Sequence, residues 1–241
     1  MKQKVVWIAF LSLVLIIGTG LILAYQIKSE RVAEEKERVA QEKDLLNQIF
    51  FSGVDCTAPC WQGLVPGQSN ADAYPRLAEK LAEKGFVFRY ESNGDDYTVY
   101  SWFDPQKDIN LFVHIDSEET IDRITFSKIN LIHVENLFAF LGEPDYYASV
   151  LFRDIEGVIT LDFLYVEKGA VISFEGVYPN QETADCYLDL SKLQVWKIYL
   201  VRSSKPNNML EDSLRNFSSS NSIQPWAGIN ALHIQGCISK Q

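Results

Sequence analysis

INLFVHID, residues 109–116, alternates without interruption: Ile109, Leu111, Val113 and Ile115 fall on one side of an extended chain, and Asn110, Phe112, His114 and Asp116 on the other. This is the pattern of an antiparallel strand with one covered face. Outward from it, FVFRYE (86–91) and YTVYSWF (97–103) precede and TIDRITF (120–126) follows. Asn93-Gly94 between the first two is a strong hairpin signal. Further on, YASVLFR (147–153), GVITLDFLYV (157–166), AVISFEGVY (170–178) and LQVWKIYLV (193–201) read as strands, with Gly157 and Lys168-Gly169 at turns.

Helical spacing precedes each group of strands. Tyr74, Leu77, Ala78 and Leu81 share one face of a helix that Ser69 or Asn70 can cap and Gly85 can end. LIHVENLFAFLGEP (131–144) gathers Ile132, Leu137, Phe140 and Leu141 before Gly142 and Pro144 stop it. Each half therefore reads as a helix followed by three or four antiparallel strands, and the expected class is α+β. The expected organisation is a transmembrane anchor (1–25), a helical spacer (26–50), two helix-plus-antiparallel-meander units (51–128 and 129–204), and a tail (205–241) packing on the second unit. The tail carries a short helical pattern from about Met209 to Phe217 and a Ser/Asn-rich loop.

Residues 5–25, VVWIAFLSLVLIIGTGLILAY, carry no charge and match the roughly 20 residues an α-helix needs to cross hydrocarbon. The run is longer than a signal-peptide core and lacks a small-x-small exit, so an uncleaved anchor is expected. ERVAEEK then ERVAQEK (30–43) repeat a strongly helix-forming unit. Val32, Val39 and Leu46 recur every seven residues, but Glu35 and Glu42 occupy the companion positions, so only half a coiled-coil seam exists. A solvated spacer is expected, with weak self-association through that seam as the other reading.

The chain has 22 Lys plus Arg against 32 Asp plus Glu, a net charge of -10, which argues against nucleic acid as a partner. Cation counts flanking the apolar run favour a cytoplasmic body. The even set of four cysteines, Cys56, Cys60, Cys186 and Cys237, instead suits disulfides in an oxidising compartment. The latter is given more weight, so the body is expected outside the cytoplasm. Cys56 with Cys60 and Cys186 with Cys237 is one of three connectivities. The sequence has no phosphate-binding loop, dinucleotide fingerprint, zinc-protease motif or nucleophile elbow, and no cofactor or metal is expected.

His114, His133 and His233 stand apart in sequence, and His114 with Asp116 could form a base and its orienter. Asp95, Asp96, Asp104 and Asp108 make an acidic stretch whose spacing fits no twelve-residue calcium loop. Tyr97, Tyr100, Trp102, Trp196 and Tyr199 are candidate binding residues, because a strand with rings on both faces must expose some of them unless both are covered.

Leu64, Pro66, Gly67 and Ser69, with Leu141, Gly142, Glu143 and Pro144 before the second meander, carry a family likeness. The order of helix, LGEP turn and meander over residues 61–175 resembles the small α+β module of the BamE (SmpA/OmlA) outer-membrane assembly lipoproteins. A tandem pair is similar in outline to the β-lactamase inhibitory protein fold. The resemblance implies binding of another protein through an exposed sheet surface without catalysis. An uncleaved anchor replaces the lipidated cysteine, so no contact residue carries over. The expectation is a membrane-anchored extracytoplasmic domain that binds a protein or glycan. An envelope hydrolase using Asp104, Asp108 or Asp116 is the alternative.

Overall fold

The computed structural model describes residues 2–51, 59–68, 74–94, 97–129, 132–151, 158–177, 193–202, 208–209 and 223–228, without the side chains of residues 2–17, 149–151, 158–159 and 175–177. Cys56, Cys186, Cys237, His233, Asp95, Asp96 and the two proposed caps Ser69 and Asn70 lie outside them. α1 is one long helix, Lys2–Phe50. The chain forms two compact units, Met1–Gln41 and Glu42–Gln241. Most of the apolar run at 5–25 has side chains outside the described set. Among the described residues, no helix is long and apolar enough to cross a membrane.

Within the first unit, Arg38 bridges to Glu35 one turn back, and Val32 is exposed. The second unit takes the last turns of α1 into its core. Leu45, Leu46, Ile49 and Phe50 are buried, and with Glu42 they form the i, i+3, i+4, i+7, i+8 stripe of a core-facing helix. At roughly 1.5 to 3 kcal/mol per buried large apolar side chain, that stripe fixes residues 42–50 as part of the folded body. The spacer expected to run to residue 50 thus gives way to core at Glu42. Trp61 Nε1–H donates to the Gln48 carbonyl at 3.1 Å, fastening the same turn.

The chain is α+β, with a nine-stranded antiparallel sheet and helices. α2 (Tyr74–Glu83) precedes β1 (Val87–Asn93), β2 (Tyr97–Asp104), β3 (Ile109–Asp116) and β4 (Ile121–Ser127). α3 (Val134–Leu141) precedes β5 (Tyr146–Leu151), β6 (Val158–Tyr165), β7 (Ala170–Val177) and β8 (Gln194–Val201), and the two-residue β9 is Gln224–Pro225. Gly85 and Gly142 end α2 and α3 at φ of 84° and 85°, a conformation that side-chain-bearing residues resist.

The strand order is β1-β2-β3-β4-β8-β7-β6-β5-β9. The expected first and second units are therefore two halves of one sheet, because β4 pairs with β8 from Arg123↔Val201 to Ser127↔Lys197. The fourth strands of the two halves, β4 and β8, meet at the centre, with β1 at one edge and β5 followed by β9 at the other.

One face of the sheet packs under the helices. Trp102, Leu111, Val113, Ile124 and Phe126 of the first half join Ile198, Leu200, Ile172, Phe174 and Phe163 of the second, with Leu77 and Leu81 of α2 and Leu137 of α3. At the start of α3, His133 sits at the cap position without capping the helix through its own side chain. Glu42 of α1 supplies the acceptor instead. It takes the His133 backbone N–H at 3.2 Å, His133 Nδ1–H at 2.9 Å and Asn136 Nδ2–H at 2.7 Å.

β9 was not foreseen. It pairs antiparallel with β5, and Trp226 beyond it stacks edge-on against Phe163, Phe138 and Tyr147 at 5.2, 5.6 and 6.1 Å. Trp226→Ala is expected to cost about 2 kcal/mol, below the usual penalty for a fully buried ring because Trp226 is only half-buried. Urea unfolding would measure the loss, and faster amide exchange in β5 would localise it.

Candidate binding face

The last turns of α1 pack with α2 and α3 on the first face of the sheet, and among the described residues the second face carries only the helical pair 208–209. Register assigns Val99, Ser101 and Phe103 of β2, Asn110, Phe112 and His114 of β3, and Arg123, Thr125 and Ser127 of β4 to this side. Lys197 and Tyr199 of β8, Ser173 of β7 and Asp162 of β6 continue it. Asn110, Ser127, Lys197, Ser173 and Asp162 are successive cross-strand neighbours over five strands. At about 4.8 Å per strand the polar row is about 19 Å long.

Its two ends differ. On the second half, Met209 and Ile223 bring the chain after β8 onto Ala148, Leu164, Val171, Tyr199 and Val201, making a second apolar cluster. Beneath it Asp162 is fully buried and accepts a hydrogen bond from Ser173 Oγ, while its Oδ2 has no hydrogen-bond partner among the described residues. Burial pushes the Asp162 carboxyl up to about 7, against the Ser173 hydrogen bond and the Lys197 charge, which lower it. Burial and then Asp162 hold the Tyr199 hydroxyl well above the ordinary phenol range.

On the first half Val99, Ser101, Asn110, Thr125 and Ser127 are buried and Phe103, Phe112 and His114 half-buried, and the exposed residues lie at the β1 edge and the start of β2. Tyr90 and Tyr97, 48% and 44% exposed, stand there with Val87, and the Arg89 guanidinium lies 4.0 Å over the Phe103 ring. All seven residues of β1 are exposed, and no strand pairs with its outer edge among the described residues. A bulge sets Arg89 between the pairs Phe88↔Trp102 and Tyr90↔Ser101, so the edge is kinked and charged, a device that blunts open-ended strand pairing.

The candidate aromatics therefore divide. Tyr97 and Tyr199 lie on the second face, the first exposed and the second under the apolar cluster. Tyr100 and Trp102 point to the helix side, because they alternate with Val99, Ser101 and Phe103. Trp102 is 2% exposed and packs edge-on against Phe88 at 5.7 Å, which withdraws it from any surface role. Burial, then Glu91, raises the Tyr100 hydroxyl. Trp196 is the extra residue where β7 and β8 slip register, half-buried with Lys197 Nζ 3.9 Å from its ring. Val87, Phe88 and Tyr90 were missed as candidates, although FVFRYE carries rings at every second residue, Phe86, Phe88 and Tyr90.

No family model matches the chain, and neither curated proteins nor solved structures give a match.

The acids of the alternative, hydrolytic reading sit at turns. Asp104 Oδ1 accepts the N–H groups of Gln106 and Lys107 at 2.9 and 3.2 Å, and Asp116 Oδ1 accepts those of Glu118 and Thr120 at 3.0 and 2.9 Å. Asp108 is an exposed turn residue 3.4 Å from Lys128. Asp104 and Asp116 cap opposite ends of the β2–β3 hairpin, and about 3.4 Å per residue along β3 puts them some 24 Å apart, beyond any two-carboxylate mechanism. Asp116 approaches Arg202 at 3.5 Å, and His114 Nδ1 lies 3.4 Å from the Arg123 guanidinium. His133 serves the Glu42 contact. Among the described residues, no group of three His, Cys, Asp or Glu could hold a metal ion. Cys60 is the one cysteine among the described residues, and it is not free.

Proposed function

We propose that the chain is a membrane-anchored, extracytoplasmic binding protein that holds another macromolecule at the exposed edge formed by β1 and the start of β2. The observation that carries this reading is the exposed β1 edge: Val87 and Tyr90 on the second face and Phe88 on the helix side, with Tyr97 farther along on the second face at the start of β2, each 44–53% exposed, while the helix-side core and the equivalent edge of the second half are covered. Exposed rings along a sheet edge present apolar area at low entropic cost, and they recur at interfaces. The uncharged run at 5–25 supports the anchor, and cysteine usage supports an oxidising side of the membrane. The order of helix and four strands occurring twice in one sheet supports the tandem resemblance to BamE-like modules and to the β-lactamase inhibitory protein fold.

Photo-crosslinking in native membranes tests the reading. Benzoyl-phenylalanine at position 90 or 97 is expected to give a discrete adduct that is absent when the probe replaces Glu135, an exposed residue of α3. Equal adducts at all three positions, or none at 90 and 97, would remove the basis for it.

A further inference from the structure

The chain's own tail occupies on one half of the sheet what the other half leaves open. Because β4 and β8 meet at the centre, β1 and β5 are counterparts as the outermost strands of their four-strand series. β5 does not end the sheet: β9 pairs with its outer edge through Tyr146↔Pro225 and Tyr147↔Gln224. Three contacts accompany that pairing. Aliphatic Met209 and Ile223 lie on the second face, the two residues of β9 add a short antiparallel strand, and Trp226 beyond the edge joins the helix-side core.

The first half offers a receptor for each of these. Val87, Tyr90 and Tyr97 stand exposed on the second face, the outer edge of β1 is unpaired among the described residues, and Phe88 is 48% exposed on the helix side of that edge. The bulge at Arg89 breaks the edge after two residues, which suits a short added strand like β9 and refuses a long ladder. Arg89, exposed beside these rings, adds a cation that favours an acidic neighbour in the occupant.

We infer that the partner of this face is an extended polypeptide segment, apolar with an acidic residue, that wraps the β1 edge antiparallel as the tail wraps β5. The inference rests on the binding reading above and names the class of its ligand. Recognition would combine backbone hydrogen bonds at the edge with side-chain pockets on both faces, the usual division of labour in strand addition.

The probe is a fluorescently labelled synthetic peptide with the sequence of residues 207–228, NNMLEDSLRNFSSSNSIQPWAG, titrated against the full chain in detergent micelles. Saturable binding is expected, weakened at least ten-fold by Tyr90→Lys and by Tyr97→Lys and unchanged by Glu135→Lys on the helix side. Both tyrosines are half exposed, so these variants keep the core intact. Absence of peptide binding overturns the inference. So does binding that neither tyrosine variant affects, which would mean exchange with the chain's own tail. N-acetylglucosamine tetrasaccharide is titrated in parallel. If it binds with the same tyrosine dependence and the peptide does not, the polypeptide class is wrong while the binding face stands; if neither binds, this inference falls and crosslinking at positions 90 and 97 decides the broader reading.

Discussion

Glu42→Ala is expected to lower the stability of the full chain by about 3 to 5 kcal/mol, a fall in Tm on the order of 10 °C for a body of this size. The carboxylate is 1% exposed and accepts from three donors at the start of α3. Each charge-assisted bond is worth about 1.5 to 3 kcal/mol, and a donor left buried without a partner loses its hydration as well. The three are not equal. The His133 ring is 29% exposed and can turn to water, and Asn136 is half-buried, whereas the His133 backbone N–H is fixed at the first turn of the helix and cannot move. The negative charge also faces the positive end of α3, whose own cap residue offers no acceptor. Glu42→Gln keeps one acceptor oxygen and loses the charge, so a cost of about 1 to 2 kcal/mol is expected. Urea denaturation of both variants checks the order. Amide exchange over Val134–Leu141 should accelerate before that of β3, and equal stability of Glu42→Ala and the parent chain would refute the clamp.

Glu42 also marks where the sequence was hard to read. A charged residue in a seven-residue repeat reads as solvated, and a period of seven emphasises Val32, Val39 and Leu46. The stripe that matters begins at Glu42 and runs through Leu45, Leu46, Ile49 and Phe50 at helical spacing. It was hidden because its first member is a carboxylate whose partners are 91 and 94 residues away. The strands were legible for the opposite reason: alternation is local, and β3 begins and ends at the residues its pattern indicates. Pairing across the centre was not legible, since nothing in TIDRITF or LQVWKIYLV names the other. Of the candidate site, Tyr97 was found because it starts a strand on the uncovered side. Trp102 was misplaced because composition cannot say which parity faces the helices. β9 escaped because two residues, one of them proline, carry no periodicity; proline suits this edge position because it need not donate to a further strand.

Asp162→Asn is expected to stabilise the chain by up to about 4 kcal/mol at pH 8 and to leave it nearly unchanged below pH 4. The parent carboxyl is fully buried, and that burial pushes it from the ordinary 3.8 of an exposed aspartate up to about 7 in the folded chain. Between those limits the folded state holds a proton that the unfolded state has released, so stability falls as pH rises, by at most about 1.4 kcal/mol per pH unit. The protonated form therefore contributes stability that is complete below pH 4 and lost by the time pH has risen through 7. Above that the buried anion has only the Ser173 hydroxyl and the charge of Lys197 to offset its lost hydration. Asparagine presents a carbonyl oxygen to the same Ser173 Oγ–H and carries no charge, so the slope between pH 4 and 7 should flatten in the variant. Because Asp162 also helps to raise the Tyr199 hydroxyl, the variant should bring tyrosinate absorbance to lower pH. A parent whose unfolding midpoint in urea rises from pH 5 to pH 8 would show that water or the tail already pays for the charge, and the polar row would then be solvated beneath Met209 and Ile223.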